Sequence, residues 1–166
     1  ALTGPECSGK TTLARQLAGH FDTVWVPELA RDYLVRLGRP YRETDLLDIA
    51  QGQWRRIQEA AREHALVFAD TSLLVMYVWS RDKFGRVAPF ITEKLQSQPH
   101  DLYLLCSPDV PWRFDPLREN PVDRDRLFRL YQQAIEQFDL MHVTVSGQEQ
   151  DRLINAVQFL DTFLNK

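Results

Sequence analysis

The chain has 166 residues, 44% of them hydrophobic and 26% charged, with a net charge of −3. That length favours one domain with room for a buried core, and the composition excludes a disordered chain. The slight acidity argues against nucleic acid or an anionic membrane as partner, no apolar run is long enough to span a bilayer, and the start lacks a signal-peptide pattern.

The first informative segment is GPECSGKT, residues 4–11, which fits G-x-x-x-x-G-K-[ST]. Such a loop works through its backbone. Gly4 and Gly9 permit turns and close approaches that a Cβ would block. Amides of the loop and of the next helix then converge on phosphate oxygens. Gly4, Pro5, Glu6, Cys7, Ser8, Gly9, Lys10, Thr11 and Thr12 are therefore the expected nucleotide cradle. Lys10 is expected to reach the β- and γ-phosphates, and Thr11 to place its hydroxyl on Mg²⁺. Cys7 stands at a variable position and reads as a spacer. Only Ala1, Leu2 and Thr3 come before the loop. A strand averages roughly 5 to 6 residues, so the chain is expected to begin inside its first strand, with upstream residues absent or unnumbered.

A helix follows over 10–20, with Leu13 and Leu17 on one face. TVWV at 23–26 reads as a strand stopped by Pro27. Glu28 comes next, and a helix starting there puts Glu28, Arg31 and Asp32 on one face. That face is either a surface ion pair or a carboxylate pointing into a ligand crevice; position alone does not choose. Residues 44–65 form a long helix with Leu47, Ala50, Trp54 and Ile57 at helical spacing. LVFA at 66–69 is a buried strand ending at Asp70. Asp70 is either a helix N-cap or an acid that binds Mg²⁺ or accepts a substrate proton. Strand ends beside a phosphate loop face the ligand, which favours the second role.

Shorter helices are predicted over 72–80 and 89–95, then a strand at 102–106 (LYLLC). Residues 111–126 have prolines, no helical period, and four arginines, Arg113, Arg118, Arg124 and Arg126. Long loops inside compact domains are usually functional or disordered, and arginine binds phosphate oxygens bidentately. The segment therefore reads as a lid, spanning roughly residues 109–126, that closes over a γ-phosphate. A helix over 123–138, a strand at 142–145 and a helix over 150–164 complete the chain. Gln51, Gln53, Trp54, Arg55, Tyr77, Trp79, Arg81 and Asp82 are candidates for an acceptor site, with Trp54 and Trp79 able to stack on a heterocycle.

Short apolar runs alternating with helices predict an α/β fold: one domain over 1–166, with a mainly parallel sheet of about five strands between helical layers. Cys7 and Cys106 make a poor disulfide framework, which points to a reduced, cytoplasmic compartment. His20, His64, His100 and His142 are scattered without zinc-ligand spacing.

Taken together, GPECSGKTTL, PELARDYL, DIAQGQ, FADTS and PLRENPVDR, in that order over residues 1–130, resemble the ribosylnicotinamide kinase domain of the NadR type. That family lies within the P-loop nucleoside and nucleotide kinases. The resemblance implies a P-loop kinase fold with kinase-like strand order, ATP and Mg²⁺ as cofactors, and γ-phosphoryl transfer to a nucleoside 5′-hydroxyl. It places Glu28 as base or ribose ligand, Asp70 as the acid after the third strand, and Arg118 and Arg124 as lid arginines. The catalytic set is then Lys10, Glu28, Asp70, Arg118 and Arg124, with Thr11 and Asp70 toward the metal. The competing readings are a nucleotide-dependent regulatory ATPase or switch and a P-loop kinase with a different nucleoside or nucleotide acceptor. Absence of an NKxD-type signature argues against a GTPase, and the charge argues against a nucleic-acid enzyme.

Overall fold

The computed structural model describes residues 1–97 and 100–165. In chain order the elements are β1 (Leu2–Thr3), α1 (Lys10–His20), β2 (Val24–Val26), α2 (Leu29–Leu37), α3 (Glu43–Glu63), β3 (Val67–Ala69), α4 (Leu73–Phe84), α5 (Pro89–Gln96), β4 (Tyr103–Cys106), α6 (Arg124–Gln137), β5 (His142–Val145) and α7 (Glu149–Leu164).

All strand pairings are parallel. The strands form two ladders, β1-β4-β5 and β2-β3, joined by a parallel bridge between Leu2 and Asp70. The spatial order is therefore β2-β3-β1-β4-β5. Five strands were expected in one sheet. The strands are there, but they are very short, and the two ladders meet only through Asp70, the residue just past β3. The chain leaves β1 toward β2 and β3 on one side and continues with β4 and β5 on the other. That reversal opens a crevice at the carboxyl ends of the strands.

β4 shows why the fold has three layers. Successive strand side chains point to opposite faces. Tyr103 and Leu105 join a core made with α3, α4, α5 and α6. Leu104 and Cys106 join a second core, which Leu13 and Leu17 of α1 and Ala156 and Leu160 of α7 complete. Sheet strands buried on both faces read as continuous apolar runs, as LYLLC does. Helix α4 is also buried almost all round, Leu73 through Val78 lying inside.

Two helical faces differ from expectation. The buried face of α3 carries Asp45, Leu46, Ile49, Ala50, Gln53 and Ile57, so Leu47 and Trp54 sit at its margin. On α7 the buried residues are Arg152, Ala156 and Leu160, whereas Ile154 and Leu164 are exposed. In both helices a polar residue lies inside because it binds main-chain groups that no apolar residue can satisfy. Helix α2 is a full element, which the sequence suggested only conditionally.

Arg152 is 4% exposed. Its guanidinium donates to the carbonyls of Ser8 at 2.8 Å, Ser107 at 3.1 Å and Gly147 at 2.8 Å, and it pairs with Asp109. One side chain thus ties the phosphate loop to the ends of β4 and β5. Replacing Arg152 with Met should destabilise the protein by about 3 kcal/mol, because buried carbonyls and the Asp109 carboxylate lose their donor. Urea unfolding measures this, and an unchanged midpoint would contradict it.

Candidate active site

A loop of the pattern at residues 4–9 turns its amides toward its mouth, so its carbonyls need other partners. The structure supplies them. Lys10 Nζ donates to Gly4 O at 2.9 Å and Pro5 O at 2.7 Å. Ser8 Oγ donates to Pro5 O at 2.8 Å. Arg124 Nη1 reaches Cys7 O at 3.1 Å, Arg152 takes Ser8 O, and the Leu13 amide takes Gly9 O at 3.0 Å. Gly4 has φ +129°, and a Cβ there would lie 2.7 Å from the Cys106 carbonyl oxygen. No other residue fits against β4 at that point.

Val26 pairs with Ala69 in register, so the residues just past these strands emerge side by side. They carry Glu28 and Asp70. Both precede helices, and neither is used as a cap. At α4 the cap is Ser72, whose side chain accepts from the Leu74 amide at 3.3 Å. Glu28 occupies the N-cap position of α2 without a side-chain cap bond; the Leu29 amide instead donates to Gln53 Oε1 at 2.9 Å. Gln53 Nε2 donates to the carbonyls of Asp70 at 3.3 Å and Thr71 at 3.2 Å. Gln53 is thus the clamp between the two carboxylate-bearing turns. Thr71 sits at φ +78°, a strained position for a β-branched residue, and the clamp helps hold it. A Cβ on Gly52 would meet Leu29 Cδ2, so GQ in DIAQGQ lets α3 approach and then hold the start of α2.

Asp70 is buried, and neither carboxylate oxygen has a partner of hydrogen-bond geometry. Burial raises its pKa; the nearby Thr11 hydroxyl and the Lys10 charge offset part of that rise. Burial also raises the pKa of Glu28, Lys10 pulls it down, and Asp70 pushes it up again. Lys10, Glu28 and Asp70 therefore share one electrostatic neighbourhood. Unpaired buried oxygens beside a threonine hydroxyl fit a hard, oxygen-binding cation such as Mg²⁺, which takes few protein ligands beyond substrate phosphates.

The irregular segment before α6 lies over the phosphate loop. Arg118 Nη1 donates to Cys7 Sγ at 3.3 Å, as does the Arg113 amide at 3.3 Å. Cys7 is thus a lid contact rather than a spacer. Arg118 and Arg124 both stand over the Trp112 ring, at 5.7 Å and 5.8 Å from its centroid. Arg31 on α2 pairs with Asp115 of the lid at 2.7 Å. Arg124 and Arg126 belong to α6, so the irregular lid is shorter than expected. Arg126 turns away to Asp82 at 2.5 Å and to Asp123 at 2.5 Å. Arg113 meets Cys7 through its backbone.

A cavity of about 480 Å³ joins these parts, within the usual size for a small-molecule site. Gly4 through Thr12 line one end. Leu34, Val75, Val78, Trp79, Leu127 and Tyr131 give the other an apolar wall, and Glu28 and Arg118 also line it. Of the acceptor candidates, Trp79 and Asp82 line this cavity. Gln51, Trp54 and Arg55 border a separate shallow groove, and Tyr77 and Arg81 bond to Gln137. Among the described residues no group of three or more His, Cys, Asp or Glu could hold a metal ion by itself, and no helix is long and apolar enough to cross a membrane.

A family model described as an AAA domain matches residues 1–152. The chain belongs to that family. It is 28% identical over 170 residues to the trifunctional NAD biosynthesis/regulator protein NadR of Escherichia coli (strain K12), covering 96% of this chain and 41% of that protein. The NadR of Salmonella typhimurium is also 28% identical, over all of this chain and 42% of its own length. The chain thus spans less than half of these relatives. A crystal structure of NadR in complex with NAD and AMP-PNP superposes with a TM-score of 0.80 at 20% identity, over 98% of this chain and 48% of that one. Deoxyadenosine kinase from M. mycoides gives 0.68 at 10% identity, over 97% of both chains. The chain shares the α/β fold of these two proteins, as the resemblance implied.

Burial raises the folded pKa of Asp70 above the ordinary 3.8, so ionised Asp70 lowers the stability of the ligand-free protein. That contribution is favourable below about pH 4 and is lost as pH rises through the raised value. Asp70→Asn should therefore raise the melting temperature near neutral pH, with the gain shrinking toward pH 4. A gain that is constant with pH, or a loss, would contradict the burial of an unpaired charge.

Proposed function

We propose that the chain is an ATP-dependent nucleoside kinase, with nicotinamide riboside as its acceptor. One observation carries this reading. The phosphate loop and an apolar-walled pocket open into one cavity, with a half-buried carboxylate, Glu28, lining it near Lys10. The family membership and the two NadR relatives support the choice of acceptor. A nucleotide-dependent switch is not favoured, because a protein switch has no need of an apolar pocket facing its phosphate loop.

ATP phosphates rest on the amides of residues 4–12, and Lys10 leaves the loop carbonyls for the β- and γ-oxygens. Mg²⁺, when bound between Thr11 and Asp70, supplies charge neutralisation on the phosphates. The acceptor lies against Trp79 with its 5′-hydroxyl toward Glu28. Glu28 accepts the hydroxyl proton, the hydroxyl oxygen attacks the γ-phosphorus, and the bond to the β–γ bridging oxygen breaks to release ADP. A carboxylate raised by burial is a better base near neutral pH. Arg118 and Arg124 balance the charge that spreads over the transferring group. The free thiols Cys7 and Cys106 suit the reducing cytoplasm.

ADP release from ATP and Mg²⁺ should depend on nicotinamide riboside within a panel of nucleosides. No acceptor dependence across the panel would refute the proposal. Arg118→Ala should lower kcat about a thousandfold with little change in ATP affinity. Equal losses in both would refute the charge-balancing role. Glu28→Gln should lower kcat by roughly 10²-fold or more, and retention of activity would move the base elsewhere.

A further inference from the structure

The lid tripeptide Arg118-Glu119-Asn120 faces two ways. Toward the phosphate loop, the Glu119 amide donates to Glu6 Oε2 at 3.1 Å, and the Asn120 amide donates to Glu6 Oε1. Arg118 itself reaches Cys7 Sγ. Toward the apolar pocket, the Glu119 carboxylate accepts from Tyr41 Oη at 3.1 Å and from Lys83 Nζ at 2.9 Å. Tyr41 Oη in turn accepts from Trp79 Nε1 at 3.0 Å, and the two rings meet edge to face at 5.2 Å. A continuous chain of contacts runs from Glu6 in the phosphate loop, through Glu119, to the tryptophan that walls the pocket.

We propose that Glu119 is a positioning residue that makes placement of Arg118 on the phosphate loop depend on an occupied acceptor pocket. The proposal rests on the kinase reading above and adds a regulation of the same site. A ring stacked on Trp79 fixes the indole, and the indole N–H fixes the Tyr41 hydroxyl. That hydroxyl and Lys83 hold the Glu119 carboxylate. Glu119 is the next residue after Arg118, and Glu6 holds its amide, so the arginine cannot swing independently. A ligand shifts a lid only through contacts it gains in the closed state, and Trp79 and Glu119 on the cavity wall supply them. The Glu119 and Lys83 side chains are 44% and 46% exposed. Ion pairs this exposed are weak, which suits a contact that must break at every turnover. Without a ring on Trp79 these exposed links are easier to break, Arg118 leaves the loop more readily, and ATP is spared from attack by water.

The test compares the wild type with Glu119→Ala, Tyr41→Phe and the double variant. ADP release is measured with and without nicotinamide riboside. The ratio of acceptor-dependent to acceptor-free release should fall roughly tenfold in each single variant, with a raised acceptor KM and an AMP-PNP Kd within about twofold of wild type. The double variant should lose little more than either single one, since both break the same chain. Glu119→Gln, which still accepts from Tyr41, should recover part of the ratio. A second readout needs no turnover. Phe114 is 86% exposed, so trypsin can cut after Arg113. With AMP-PNP present, nicotinamide riboside should slow that cut in the wild type and not in Glu119→Ala. Variants that keep the wild-type ratio and protection overturn the proposal, as do variants that lose AMP-PNP binding in step with turnover. A wild type without acceptor-dependent ADP release overturns the kinase reading instead, while the tryptic comparison still decides the role of Glu119.

Discussion

A phosphate loop has to leave its amides for the ligand, and the carbonyls of the same peptides must then be satisfied from elsewhere. In this protein one donor is local, Lys10 at the start of the following helix, and two come from distant parts of the chain, Arg124 from α6 and Arg152 from α7. The loop is therefore held in shape by cations on its carbonyl side. These same cations raise the local potential where an anion binds. Lys10 has both duties in the proposed reaction, where it would give up its present carbonyl partners for phosphate. Arg152, with its Asp109 partner and three carbonyls, has no such freedom and is structural.

The second half of the site follows from strand register. Parallel pairing of Val26 with Ala69 brings two acidic residues to neighbouring strand ends, where burial raises both pKa values and the Asp70 charge adds to the rise at Glu28. Ordinarily such residues would be consumed as helix caps. Here Ser72 and Gln53 take the capping work, so neither carboxylate is spent on a helix end. Gln53 also bonds the carbonyls of Asp70 and Thr71, so one amide side chain sets the spacing of the two acids.

The lid is built on a different principle. The sheet and helices are joined by apolar cores on both faces, whereas the lid is joined to the body mostly by partly exposed polar contacts at Glu6, Cys7, Arg31, Tyr41 and Lys83. Apolar burial holds elements permanently, and exposed ion pairs can form and break on the timescale of turnover. Trp112 adds an aromatic ring that Arg118 and Arg124 share.

Much of this was legible in the sequence. Local patterns carried the phosphate loop, the alternation of strands and helices, both strand-end acids and the arginine-rich lid, because each depends on neighbours within a few residues. Trp79 was among the acceptor candidates, though Trp54, named with it, borders another groove. Arg152 was missed because a buried arginine has no periodic signature and α7 was read by its apolar residues alone. Cys7 was misread for the same kind of reason: its lid partners lie more than a hundred residues away. The sequence by itself determined which elements form and where the glycine loop and its lysine stand, since backbone propensity and short motifs are local. Only the tertiary structure decided which carboxylate lines the cavity, which arginines meet the loop and what binds the lid to it, because burial and pairing are made between segments that the chain keeps far apart.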